Sequence, residues 1–439
     1  MKITSDFFKS CAIAILCAAL SIEVSGEESV HSKNPLFTTC QGKVVAGYQG
    51  WFRVPEDGSG ANEKNWGHWG RDGKRFGISN CTIEAWPQTD EYPKTYPTDF
   101  KFEDGSTANI FSSYDESTAD VHFKWMSQYG IDGAFLQRFY SYTKNPTACT
   151  HTIKVLENCL RAAKKHGVGI ILMYDLSGMP RGKVADGLIE DFKKISDSIN
   201  LTGGDKSPYM FHRGKPLVCI WGIGFSDRHF SPAESDVLKF FDFLKNDPKY
   251  GGCSIMVGVP TYWRSLKHDT ITNPEFHKFL EKYVDIVSPW SVGRLILRGD
   301  RVDTGGGLSH KEEVSADIAW CKARNIDYMP VVYPGFSWYN KMHDRLKNVK
   351  FNHTPREKGK FFWEVASSAV SAGADMIYIA MFDEVDEGTA IFKICPNPPR
   401  YDGIPMLDTE GMPSDHYLFL AGKFHDLLKA KKSLPMPKR

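Results

Sequence analysis

The stretch MFDEVDEGT, residues 381–389, places four carboxylates in five positions, Asp383, Glu384, Asp386 and Glu387, directly behind the apolar run DMIYIA. Like charges this close repel, so a fold that keeps them together must bury, pair or use them. Two carboxyl groups in one desolvated pocket are driven to different pKa values, leaving one able to donate a proton and one able to accept it near neutral pH. Glycosidic cleavage needs that combination. If the segment turns helically, Glu384 and Glu387 lie on one side, and Gly388 eases a tight turn. Glu384 and Glu387 are therefore the expected catalytic pair. The competing readings are a calcium-type site, against which no Asp-x-Asp-x-Asp-Gly loop is present, and a solvated acidic turn without function.

Short apolar runs recur along the chain and must position this pair. They are residues 44–52, 131–137, 168–174, 216–221, 254–259, 284–290, 327–333 and 375–382, with amphipathic helical stretches between them. Near-continuous apolar strands covered by helices are what a parallel sheet requires. Eight of them predict an α/β fold, a (β/α)8 TIM barrel with elongated βα loops, with a doubly wound open sheet as the second architecture. Ser231-Pro-Ala-Glu234 and Thr354-Pro-Arg-Glu357 read as capping boxes, and Asn273-Pro-Glu275 as a similar helix start. Gly130, Gly167 and Gly373 suit helix ends, and a last helix is expected over about 414–430. About sixty residues rich in Gly, Asn, Asp and Pro separate the first strand from a helix starting near Ser117; so long a loop is usually functional.

In a barrel the residues at the C-terminal strand ends form the site. The expected glycan-binding set is Trp51, Arg138, Asp175, Trp221, Tyr262, Trp263, Trp290 and Trp338, joined by Asp383 and Asp386 from the acidic stretch. Rings and guanidinium groups around a few carboxylates match a sugar, whose C–H faces are apolar and whose hydroxyls need hydrogen bonds. Arg264, Arg294, Phe336 and Tyr339 stand at similar positions. His68 and His166 have no clear part.

The first 26 residues, with Lys2 and Lys9 ahead of a short apolar segment, have the form of a secretory signal peptide, so a secreted or periplasmic protein is expected, with residues 27–439 as a single catalytic domain. The apolar segment is too short for a membrane span, and no later run comes close. The net charge is +1 with or without the leader, which gives no electrostatic argument for nucleic acid or an anionic membrane. Of ten cysteines, Cys11 and Cys17 fall in the leader; Cys40 and Cys81 are candidates for a disulfide, whereas Cys159, Cys219 and Cys321 read as buried thiols. Asn80, Asn200 and Asn352 head N-glycosylation sequons. No P-loop, dinucleotide fingerprint, HExxH or GxSxG motif occurs, and neither a cofactor nor a metal is expected.

FDEVDEGTAI resembles the segment NEWHEGTQIE of glycoside hydrolase family 99, the endo-α-mannosidases and endo-α-mannanases related to family 71. Weaker similarity runs through VVAGYQGWF, DGAFLQRF, GKPLVCIW, PVVYPGFSW and PSDHYLFLAGKF, and extends to exported bacterial proteins labelled xylosidase/arabinosidase. The resemblance implies retaining hydrolysis of a glycan without a metal or a covalent enzyme adduct. Glu384 would deprotonate the sugar 2-OH, which attacks the anomeric carbon, while Glu387 would serve as general acid and then as base. The chain departs from the pattern at Asp383, where the family has asparagine, and at Val385-Asp386, where it has an aromatic-histidine pair. The expected function is thus an exported glycoside hydrolase of endo-α-mannosidase type. The alternatives are a noncatalytic glycan-binding protein on a degenerate barrel and a xylosidase/arabinosidase-type exo-enzyme.

Overall fold

A computed structural model describes residues 28–60, 66–180, 182, 184–228 and 235–439. The expected signal peptide and the proposed capping box at 231–234 lie outside these residues. The apolar runs form parallel strands β1 (Val44–Tyr48), β2 (Gly133–Phe139), β3 (Gly169–Asp175), β4 (Lys215–Trp221), β5 (Ser254–Val259) and β6 (Ile286–Pro289). The seventh run is divided at Met329-Pro330 into β7 (Asp327–Tyr328) and β8 (Val331–Val332), because proline has no N–H to give to a ladder. The last strand is β9 (Ile377–Ile379). The ladder runs β7-β6-β5-β4-β3-β2-β1-β9-β8, so its two ends are halves of one run of chain, and all these pairings are parallel. Val331 pairs with Tyr378, and Asp327 with Ile286. This barrel-like parallel sheet with helices excludes the doubly wound order.

Every residue of β1, β5, β6, β8 and β9 is buried, as a sheet covered by helices demands. The covering helices include α1 (Glu116–Tyr129), α2 (Pro146–His166), α3 (His310–Lys322), α4 (Lys360–Ser371) and α5 (His416–Ala430). α1 and α2 end on Gly130 and Gly167 in the left-handed conformation, and α3 starts on a Ser309–Glu312 capping box. The box expected at Thr354 does not form. Thr354 exchanges backbone hydrogen bonds with Phe336 at 2.9 and 3.0 Å, Glu357 and Lys358 have φ of 49° and 52°, and α4 begins only at Lys360.

Cys40 and Cys81 are free, buried thiols rather than a disulfide, as are Cys159, Cys219 and Cys321. Cys40 precedes β1, at the N-terminal end of the sheet, where its backbone N–H meets His212; Cys81 pairs with Gly70 in the loop beyond the other end of β1. Among the described residues no helix is long and apolar enough to cross a membrane.

Candidate active site

The C-terminal ends of the strands open into a cleft of about 610 Å³, within the range of ligand sites. Glu384 and Glu387 both line it. The turn that presents them is fixed at several points. Phe382 N–H donates to the Gly47 carbonyl at 2.7 Å, prolonging the β1 contact, and Ser337 N–H donates to the Glu387 carbonyl at 3.0 Å. Behind the turn a side chain at Gly47 would meet the Met381 sulfur at 2.1 Å, so anything larger than glycine would force Met381 to move. Gly388 has φ 62° and packs against Ser337 and Leu407, which makes it the pivot that brings Glu387 back toward the cleft.

The four carboxylates separate by environment. Asp383 is fully buried and accepts the backbone N–H groups of Gln49 and Gly50 at 2.8 and 2.9 Å; burial pushes its carboxyl up to about 7. Glu384 is 4% exposed and is held by the Gln49 amide at 2.9 Å and the Thr389 hydroxyl at 2.8 Å. Burial, followed by the charges of Glu387 and Asp386, raises its pKa well above the usual carboxylate range. Asp386 is also buried, which opposes its charge, yet the Lys341 ammonium at 2.9 Å and His68 at 3.0 Å hold its carboxyl below that range. Glu387 is half-buried and accepts a second hydrogen bond from Lys341 at 2.8 Å. The repulsion evident in the sequence is thus relieved by one lysine, by backbone amides and by proton uptake.

Trp51, Asp175, Trp221, Trp290 and Trp338 line the same cleft, as do Arg294 and Phe336. Asp175 receives Ser177 N–H at 2.7 Å, and burial pushes its carboxyl up to about 6. Trp221 and Trp290 meet edge to face at 5.4 Å between ring centres.

The other expected binding residues do not line the cleft. Asp383 and Asp386 point into the protein onto the partners just described. Arg138 is 2% exposed and forms a bidentate pair with Asp191 at 2.6 Å on both arms. Strand alternation turns it outward toward the helices, while Gln137 beside it faces the cleft. Trp263 is fully buried with its indole N–H on Asp317 at 3.1 Å, and the Tyr262 hydroxyl donates to the Thr304 carbonyl at 2.7 Å.

Several residues of the cleft and its supports carry no recognisable signal in the sequence. Lys341 comes from the short helix Tyr339–Met342, and His68 from the long loop after β1. The His68 ring lies flat on Trp51, 3.6 Å between centres and 3° between planes, and its Nε2 meets the Tyr142 hydroxyl at 3.1 Å. Glu84, in the same loop, is fully buried and receives the Ser337 hydroxyl and Asn340 N–H, tying this loop to the segment that carries Lys341. Four cleft residues have a buried polar atom with no partner among the described residues: Gln49 Oε1, Gln137 Oε1, Trp51 Nε1 and Trp221 Nε1. Buried polar atoms are normally paired, so two acceptors and two donors beside the cleft are exceptions.

The structure aligns over 90% of its length with all of an endo-α-mannosidase of glycoside hydrolase family 99 from Bacteroides thetaiotaomicron, with a TM-score of 0.62 and 16% identity. Its fold is similar to that of a family 99 enzyme. The same Bacteroides protein in complex with bis-tris-propane aligns with a TM-score of 0.60 and 17% identity, over 90% of this chain and 99% of that one. No family model matches the sequence, and no curated protein matches it. At this identity the likeness is one of fold, and the chemistry must be argued from the side chains.

Proposed function

We propose that the protein is a glycoside hydrolase acting on a polysaccharide or oligosaccharide, with Glu384 and Glu387 as its catalytic pair and an internal α-glycosidic linkage as its target. The observation that carries this reading is that the two glutamates face one aromatic-walled cleft while the aspartates between and before them are taken up by protein partners. Around them lie unpaired donors and acceptors of the kind sugar hydroxyls satisfy.

Once ionised, Glu384, held by the neutral donors Gln49 and Thr389, is made a strong base by burial and suits proton abstraction from a sugar hydroxyl beside the scissile bond. Glu387, at the open side of the turn, suits protonation of the leaving oxygen and then activation of water. Trp290 and Trp338 provide faces for pyranose rings. The Bacteroides neighbour is an endo-α-mannosidase, which supports an internal α-mannosidic bond as the first linkage to assay. Export through the N-terminal leader and closure of the sheet into a full (β/α)8 ring at Met329-Pro330 belong to the same proposal.

The test changes Glu384 and Glu387 separately to Gln and follows products from α-mannans, α-glucans, xylans, arabinans and sulfated polysaccharides by mass spectrometry. New reducing ends with the wild type and their loss in both variants support the reading. Saturable binding with no product from the wild type would instead mark a glycan-binding protein.

A further inference from the structure

Away from the glutamates, the cleft lining includes two guanidinium groups. β4 stands four strands from β9 in the sheet, and Arg228 follows it. The Arg228 guanidinium lies 4.4 Å from the ring centre of Trp221 and 4.9 Å from that of Phe225, and its Nη1 donates to the Ser177 hydroxyl at 2.7 Å. Stacking fixes the plane of the guanidinium and leaves its edge for a ligand. Its acidic neighbour Asp227 is 77% exposed and 3.6 Å from Nε, a loose and solvated contact. Arg294, after β6, is oriented through Nη1 by Asp269, whose oxygens also receive the N–H groups of Thr261 and Tyr262. The indole N–H of Trp221, the ring under Arg228, is buried and has no partner among the described residues.

A sugar hydroxyl both gives and accepts, and the glutamate wall, with Gln49 Oε1 and Gln137 Oε1, offers it acceptors. The rest of the lining offers two planar guanidinium groups, Arg228 opposite the glutamates and Arg294 after β6. The acids beside these groups are Asp227, solvated at the cleft edge, Asp269, bonded to Arg294, and Asp175, turned onto the Ser177 backbone. The guanidinium N–H groups left over from these pairings suit a group that only accepts, and guanidinium edges match the two-oxygen geometry of carboxylates and sulfates. We propose that Arg228, Arg294 and Trp221 form a subsite for an anionic substituent, a sulfate ester or a uronate carboxylate, on a sugar unit beside the one that reacts. This subsite rests on the glycosidase reading and names its substrate class.

The test uses the Glu384→Gln variant, so that binding is measured without turnover. Calorimetry compares neutral, O-sulfated and uronate-bearing oligosaccharides that share a backbone, and the last two arms separate the sources of charge. The expected result is at least tenfold tighter binding of one anionic series, weakened as salt rises from about 0.05 to about 0.5 M. Arg228→Leu should lower that affinity by about ten- to a hundredfold, the loss of a charge-assisted hydrogen bond, and leave neutral oligosaccharides unchanged. Arg228→Lys, which keeps the charge without the planar edge, should fall between.

Equal affinity for neutral and anionic series, or equal losses for both in Arg228→Leu, overturns the subsite. If the wild type hydrolyses neutral glycans while showing no anion preference, the subsite fails and the glycosidase reading stands. If no glycan is bound or cleaved, both fail.

Discussion

Replacing Lys341 by methionine keeps most of the side-chain volume and removes the one cation that joins Asp386 to Glu387. The Lys341 ammonium lies 2.9 Å from Asp386 and 2.8 Å from Glu387, and the three side chains are 24%, 1% and 25% exposed. Breaking a buried ion pair by deleting one partner costs about 3–5 kcal/mol, and the open edge of Glu387 places this one near the lower end. With an unfolding entropy of about 2.1 cal/mol/K per residue, a loss of about 3 kcal/mol lowers Tm by roughly 3–4 °C in a chain of this size.

The loss should depend on pH, with a definite sign. In the native protein the Asp386 carboxyl is held to about 2, below its unfolded value, so the stability it contributes is present above that unfolded value and disappears as pH falls through the folded one. Without Lys341, burial is opposed only by His68, and proton uptake by Asp386 or His68 relieves the isolated charge as pH falls. Urea unfolding followed by tryptophan fluorescence should therefore show the largest difference between variant and wild type at pH 7–8, shrinking to about 1 kcal/mol or less by pH 4. Asp386→Asn in the Lys341→Met background should recover much of the loss at pH 7. A difference that stays constant from pH 4 to 8, or one below about 0.5 kcal/mol throughout, would refute the account of how the acidic turn is held.

Two other outcomes follow from the same packing. Burial pushes the Glu84 carboxyl up to about 8, above its unfolded value, so its contribution to stability is complete below about pH 4.5 and is lost as pH rises toward 8. Glu84→Gln should flatten this decline in a denaturation series, and parallel pH curves for the two proteins would contradict the assignment. Arg138→Leu should destabilise by about 3 kcal/mol or more through the stranded Asp191 while leaving KM for a cleaved glycan within about twofold; a large change in KM with little loss of stability would return Arg138 to the binding surface.

Much of the fold is legible in the sequence because strand period and burial are local. The apolar runs from Val44 to Ile379 form the sheet, and their order tells which loops share a face. That Glu384 and Glu387 face the cleft is legible by the same means, since a strand end next to an acidic turn needs no knowledge of distant chain. What the sequence hides depends on partners far along the chain. Arg138 reads as a rim residue because its pairing with Asp191 is a tertiary event, and so does Trp263 because of Asp317. Asp383 and Asp386 have the residue types of substrate contacts, but Gln49, Gly50, His68 and Lys341 occupy them. Lys341 sits in a four-residue helix and His68 in an irregular loop, both without a period from which a direction can be inferred. The helix start at Thr354 has the right residue types, but its backbone is claimed by Phe336.

The central claim is that Glu384 and Glu387 perform glycosidic cleavage. The direct measurement is turnover of the best glycan in the panel by wild type, Glu384→Gln and Glu387→Gln, each checked for an unchanged Tm, with products identified by mass spectrometry. Cleavage by the wild type is expected, with a fall of at least about a hundredfold in each variant, the scale of a lost general acid or base. Wild-type turnover retained in both folded variants would contradict it.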